Sequence, residues 1–179
     1  MTSEEILEQL EAWGDPKMRA VNIKHGAGEN HFGVNLSKLR ALAKKLKTNH
    51  PLALELWGTG NVDAMLLALL IVDPKQLTAK GVDAMMKKVS YFKIADWLVS
   101  YVLPKTKLAA ELLGRWRDSE SECLGRAGWS LMADKVKEDP ATVEEALRTI
   151  EREMKQAPFR KQVEREDIPG LGVRLSAVH

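Results

Sequence analysis

Lys87-Lys-Val-Ser-Tyr-Phe-Lys-Ile-Ala-Asp-Trp-Leu-Val-Ser-Tyr101 is the stretch from which the fold can be read outward. Its spacing predicts a helix entered near Ser90. Ile94, Leu98 and Tyr101, with Ala95 and Val102 beside them, recur at the three-and-four interval of a face packed on a core. Asp96 interrupts that apolar surround, with Trp97 directly after it. Phe92 stands four residues earlier and therefore shares a helical face with Asp96. A carboxylate beside an aromatic ring can hold a developing positive charge. The same pattern also arises from a structural or capping acid.

The helical reading extends in both directions. Seven prolines punctuate the 179 residues, at 16, 51, 74, 104, 140, 158 and 169. Most intervals are long enough for one or two helices, and proline is tolerated only in a helix's first turn. Thr2 and Glu5 form a capping-box pattern for a helix to Trp13. Asp15 and Asp139, each before a proline, suit N-caps, and Asp73-Pro74 suits a turn. A short helix follows from Pro16 to Lys24. His25-Gly-Ala-Gly-Glu-Asn-His-Phe-Gly33 then matches no nucleotide-binding spacing and reads as a connector. Asn35 caps Leu36 to Lys47, whose inner face is Leu36, Leu39, Leu42, Ala43 and Leu46. Pro51 to Trp57 is a short helix stopped by Gly58, and Asn61 caps the most hydrophobic helix, Val62 to Val72. Helices are expected at Thr78–Val89, Thr106–Arg117, Ser119–Val136 and Pro140–Gln156. No segment alternates strictly, so strands are not expected.

The fold class is therefore all-α. Helix pairs of about 30 to 40 residues, taken as Leu36–Trp57, Val62–Val89, Ile94–Arg117 and Glu120–Gln156, have the period of a helical solenoid. Residues 1–157 are read as one domain and residues 158–179 as a weakly structured tail.

Charge is unevenly distributed. From Asn30 to Ala110 twelve Lys or Arg stand against five Asp or Glu, a net +7, while the segment before Pro16 carries five acids and no base. A basic centre between acidic flanks suits a polyanionic partner, and it also suits ordinary solvated helix faces. The longest apolar run, Ala64 to Val72, is too short to cross a bilayer. The N-terminus lacks the basic and apolar regions of a signal peptide. Cys123 is the only cysteine, which excludes an internal disulfide and suits a reducing cytoplasm. It reads as a small buried hydrophobe. No His, Cys and acid cluster has metal-ligand spacing, so neither metal nor cofactor is expected, and a monomer is. Trp13, Trp57, Trp116 and Trp129 sit at core spacing.

Four phrases in order carry a resemblance: Phe32-Gly-Val-Asn-Leu-Ser-Lys-Leu-Arg-Ala-Leu-Ala43, Leu54-Glu-Leu-Trp57, Tyr91-Phe-Lys-Ile-Ala-Asp-Trp-Leu98 and Cys123-Leu-Gly-Arg-Ala-Gly-Trp-Ser-Leu-Met-Ala133. Over roughly Phe32 to Gln156 the chain resembles the DNA alkylation repair family of AlkD-like proteins. The resemblance implies a curved stack of HEAT-like antiparallel helix pairs that grips duplex DNA in a basic concave groove. It further implies a DNA glycosylase that excises alkylated, positively charged purines without a metal.

By position Asp96 matches that family's catalytic aspartate, Phe92 stands where its tryptophan does, and Arg126 matches its backbone-holding arginine. Trp97, Lys44, Lys45, Lys88 and Lys93 complete the expected substrate and DNA contacts. A cationic purine is already a good leaving group, so a fixed carboxylate in a partly dry site would suffice to stabilise an oxocarbenium-like sugar and position water. Two departures weigh on catalysis more than on binding. Phe92 lacks the indole N–H, and no tryptophan follows Trp129, whereas active relatives carry further helices with one. The other class of function compatible with the sequence is a non-catalytic HEAT-like scaffold for a protein or nucleic acid, with a structural Asp96.

Overall fold

Local capping chemistry sets the helix starts. A computed structural model describes residues 1–139, 141, 143, 144 and 146–148. Helix α1 (Ser3–Ala12) opens with the expected capping box, the Glu5 N–H donating to Thr2 Oγ1 at 3.2 Å and the Thr2 N–H to Glu5 Oε2 at 2.9 Å. Asp15 caps α2 (Pro16–Lys24), Asn35 caps α3 (Leu36–Leu46) and Asn49 caps α4 (His50–Gly58). Asn61 caps α5 (Val62–Ile71), and Thr78 caps α6 (Ala79–Met86). Each side-chain oxygen accepts one of the N–H groups that a helix leaves without an intrahelical partner. Asp73 accepts from the Lys75 N–H at 3.0 Å and heads a short 3₁₀ turn, Pro74–Gln76.

Helix α7 (Phe92–Trp97) is entered at Tyr91, one residue later than its sequence suggests, and Tyr91 offers no side-chain cap. It does not run on as an α-helix to Tyr101. Leu98–Val102 forms a π-helical turn, closed by the Leu103 N–H to the Leu98 carbonyl, and a 3₁₀ turn follows at Leu103–Lys105. Pro104 explains the change. It has no N–H for the Ser100 carbonyl and its ring would crowd that carbonyl, so the regular ladder has to deform before it.

The described residues form two compact units, Met1–Lys107 and one beginning at Leu108. In the first, α5 is the hub. It packs against α1, α3, α4, α7 and the π turn. All of its residues but Leu70 are buried, as expected of a helix that is apolar on every side. The three-residue turn Thr59-Gly60-Asn61 folds α4 back along α5, with Gly60 at φ +67°. In the second unit α8 (Ala109–Trp116) packs on α9 (Glu122–Glu138). Trp116, Trp129, Leu112, Ala127 and Met132 lie in its core, and Cys123 is buried as expected. Gly128 makes that contact close, since a Cβ there would stand 2.3 Å from the Arg117 backbone N.

The helix pairing expected from sequence is off by one helix. Within the first unit the extensive contacts are α4 with α5 and α3 with α5, not α3 with α4, and within the second α8 packs on α9. The sequence period gives the repeat length but not which neighbour closes each hairpin. Of the last expected helix, residues 143, 144 and 146–148 are helical. Residue 141 is in 3₁₀ conformation, and the rest of that helix and the proposed tail, 158–179, lie outside the described residues. No strand occurs among the described residues, and none of their helices is long and apolar enough to cross a membrane.

Candidate nucleic-acid interface

The connector between α2 and α3 is the most heavily braced loop in the first unit. Asp63, in the first turn of α5, is 2% exposed and accepts from the backbone N–H groups of Phe32, Gly33 and Val34 at 2.7, 3.1 and 3.3 Å. Arg19 clamps the opposite edge, donating through Nε to the His31 carbonyl at 3.0 Å and pairing with Glu29 at 2.6 Å. Gly33, at φ +80°, has no room for a side chain, because a Cβ would stand 2.6 Å from both Arg19 N and Asp15 O. Burial pushes the Asp63 carboxyl up from its ordinary value of 3.8, and the three backbone N–H donors and His31 only partly oppose it. His31 is 3% exposed, and neither ring nitrogen makes a well-formed hydrogen bond. Burial pushes its imidazole down from 6.5 despite the nearby Asp63. This bracing has no signal in the sequence, where Asp63 looks like any helix-start acid.

The braced loop delivers α3. Lys38, Arg40, Lys44 and Lys45 are all exposed along this helix. No acid occurs from Asn30 to Leu54, so nothing in that run offsets them. Lys44 and Lys45 fall in the last turn, where the helix dipole favours cations. Lys47 follows as the C-cap at φ 57°, a conformation in which glycine is the easy choice. Three of the five acids in the basic centre are engaged, while Glu55 is exposed and Asp96 lies on α7. Asp63 is buried under the loop, Asp73 caps its own turn, and Asp83 pairs with Lys87 at 3.2 Å.

Helix α7 carries Phe92, Lys93, Asp96 and Trp97. Phe92 and Asp96 are both half-buried, one helical turn apart, as their spacing requires. Tyr91 lies edge-on to Phe92 at 5.1 Å and donates through its hydroxyl to Asn22 Oδ1 at 3.4 Å, tying the start of α7 to α2. Lys93 Nζ stands 5.5 Å from the Tyr91 ring. Trp97 is only 7% exposed, which leaves little of its indole for a ligand. Lys88 is exposed just beyond α6. Arg126 is half-buried on α9, in the second unit. Among the described residues no group of His, Cys and acids is arranged to hold a metal ion.

Sequence reasoning missed one contact that joins the two helices. Arg40 of α3 lays its guanidinium over the Trp97 ring at 5.1 Å and near the Tyr101 ring at 5.9 Å. Its Nη2 donates to the Tyr101 hydroxyl at 3.0 Å. Trp97 and Tyr101 are themselves edge-to-face, with ring centroids 5.1 Å apart. Tyr101 had been read as a core residue, and the widened π turn leaves it half-buried beside Arg40 instead. The only sequence signal was its four-residue spacing from Trp97.

An all-helical repeat protein with a basic central segment is the class that these features define. The family model described as "DNA alkylation repair enzyme" matches residues 6–163, and the chain belongs to that family. The match begins well before Phe32, where the phrases read from sequence start. The chain is 24% identical over 162 residues to the uncharacterized protein Lin0241 of Listeria innocua, covering 86% of this chain and 72% of that one. It is 21% identical to the uncharacterized protein Lmo0209 of Listeria monocytogenes, covering 78% of this chain and 65% of that one. A solved structure, described as "a new family of proteins related to the HEAT-like repeat DNA glycosylases with affinity for branched DNA structures", superposes with a TM-score of 0.84 at 26% identity. That match covers 99% of this chain and 80% of the other. The fold is thus HEAT-like as well as all-α.

Proposed function

We propose that this protein binds the DNA backbone through the basic face of α3 together with Lys88 and Lys93, and that branched as well as duplex DNA is its partner. The observation that carries this reading is the exposed, acid-free set Lys38, Arg40, Lys44 and Lys45 on one braced helix. Membership of the repair family and the stated affinity of its structural neighbour for branched DNA support the same partner. Phosphate neutralisation by such residues releases counterions, and log affinity falls by about 0.9 per contact for each unit of log salt. Fluorescence anisotropy with a linear duplex and a four-way junction of matched sequence tests this. About four contacts give a slope of roughly −3 to −4. Reversing Lys44, Lys45 and Lys88 to glutamate should weaken binding to both DNAs. Unchanged affinity after those reversals would favour a scaffold that binds another partner.

A second reading, excision of N3- or N7-alkylated purines, rests on Asp96. Its carboxylate is half-buried on the same face as Phe92, and the family's chemistry needs little beyond a fixed carboxylate near the sugar. In this reading Phe92 offers a π face to the developing cation and Arg126 holds the backbone. Release of 7-methylguanine or 3-methyladenine from methylated duplex DNA is the direct assay.

A further inference from the structure

The first unit contains two arginines, Arg19 and Arg40, and they are held in opposite ways. Arg19 is spent on structure, with its charge met by Glu29 and its donors by loop carbonyls. Arg40 is exposed, and among the described residues no carboxylate ion-pairs with it. Its guanidinium is nonetheless fixed, stacked over Trp97 and hydrogen-bonded through Nη2 to the Tyr101 hydroxyl. Long cationic side chains on a surface normally sample many rotamers, and ordering them opposes binding. A guanidinium already ordered on aromatic faces avoids most of that loss, and its planar donors match phosphate oxygens two at a time. Lys44 lies one turn further along the same face of α3, about 6 Å on. A cation at that spacing can meet a neighbouring phosphate of the same strand.

We infer that Arg40 is a pre-ordered phosphate clamp, and that Trp97 and Tyr101 act in DNA binding by positioning it rather than by touching DNA. The inference rests on the DNA-binding reading above and assigns that reading an anchor which neither the family description nor the relatives name. It also gives the π turn a use. Tyr101 lies within the widened turn before Pro104 and accepts from Arg40 of α3, so the irregular part of the Asp96 helix carries the residue that orients Arg40.

Four variants test it against the same linear duplex and four-way junction: Arg40→Ala, Arg40→Lys, Tyr101→Phe and the Lys44→Glu/Lys45→Glu double substitution. Far-UV circular dichroism confirms that each remains helical. Arg40→Ala should lose about tenfold or more in affinity, the range for a hydrogen-bonded charge, and the salt slope should shrink by about 0.9. Arg40→Lys should keep the slope, because the charge remains, yet recover little affinity, because an ammonium neither stacks nor forks. Tyr101→Phe removes only the hydroxyl. It should weaken binding by about two- to tenfold with the slope unchanged, the mark of a positioning residue.

Wild-type affinity in Arg40→Ala, alongside weakened binding by the double lysine reversal, would overturn the clamp and leave the DNA reading standing. Full affinity in Arg40→Lys would overturn the role of stacking. A wild-type protein that binds neither DNA would remove both.

Discussion

His31 shows at the scale of one residue how burial sets a pH response. Its imidazole titrates below 6.5 in the folded protein, first because burial disfavours the charged form. Asp63 and Glu29 pull the other way, and Arg19 adds to the lowering. The folded state thus holds fewer protons than the unfolded chain just below 6.5, and stability falls as pH drops from there towards the folded value. Asp63 contributes with the opposite sign. Its carboxyl is raised above 3.8, so the folded state gains stability relative to the unfolded chain as pH falls through that raised value. Thermal midpoints measured from pH 7.5 to 5 should decline more steeply for the wild type than for His31→Phe, which fills similar volume and cannot titrate. Parallel profiles for the two proteins would reject the assignment to His31. None of this was legible in the sequence, where His31 is one of four histidines in a loop-like setting and Asp63 an ordinary first-turn acid. Burial depends on which segment folds over which, and spacing within one segment does not record that.

At the scale of elements the sequence was a good guide to starts and a poor one to continuity. Asn35, Asn61 and the Thr2–Glu5 box were readable because capping is local chemistry over three or four residues. The π turn was not readable, since Ile94, Leu98 and Tyr101 fit α-spacing and Pro104 signals only that a helix must end. The pairing of α4 with α5 and α8 with α9 was likewise hidden. Gly128, inside a phrase recognised by resemblance, had no evident role until α8 and α9 were seen together. A methyl group there meets backbone at 2.3 and 2.6 Å, which no side-chain rotation relieves. Gly128→Ala should therefore lower stability by about 1 to 3 kcal/mol or more, through separation of the two helices. The equivalent change at Gly114, an exposed position in α8 with nothing within 4 Å of a built Cβ, should be neutral or mildly stabilising. Urea denaturation of the pair checks this, and equal effects at both positions would contradict it.

Over the whole molecule the question is whether gripping DNA and breaking a glycosidic bond reside in the same residues. The proposed grip lies on α3 and depends on positive charge. The proposed chemistry lies on α7 and depends on the negative charge of Asp96. These demands separate cleanly under Asp96→Asn, which keeps the volume and removes the charge. If the carboxylate stabilises a cationic sugar only as the bond breaks, its loss slows excision and leaves ground-state binding alone. Release of 7-methylguanine from methylated duplex should then fall about 10²-fold or more, the scale seen when one preorganised electrostatic group is removed. Affinity for the same duplex should hold or rise slightly, because a negative charge near phosphates has been deleted. Phe92→Trp adds ring area on the Asp96 face and should leave the rate unchanged or raise it. Arg126→Ala, by contrast, should weaken binding, because its proposed contact is to the backbone. Wild-type release no faster than that of Asp96→Asn would end the catalytic reading. The DNA-binding reading would survive that result, because it draws on the lysines and Arg40 rather than on the aspartate.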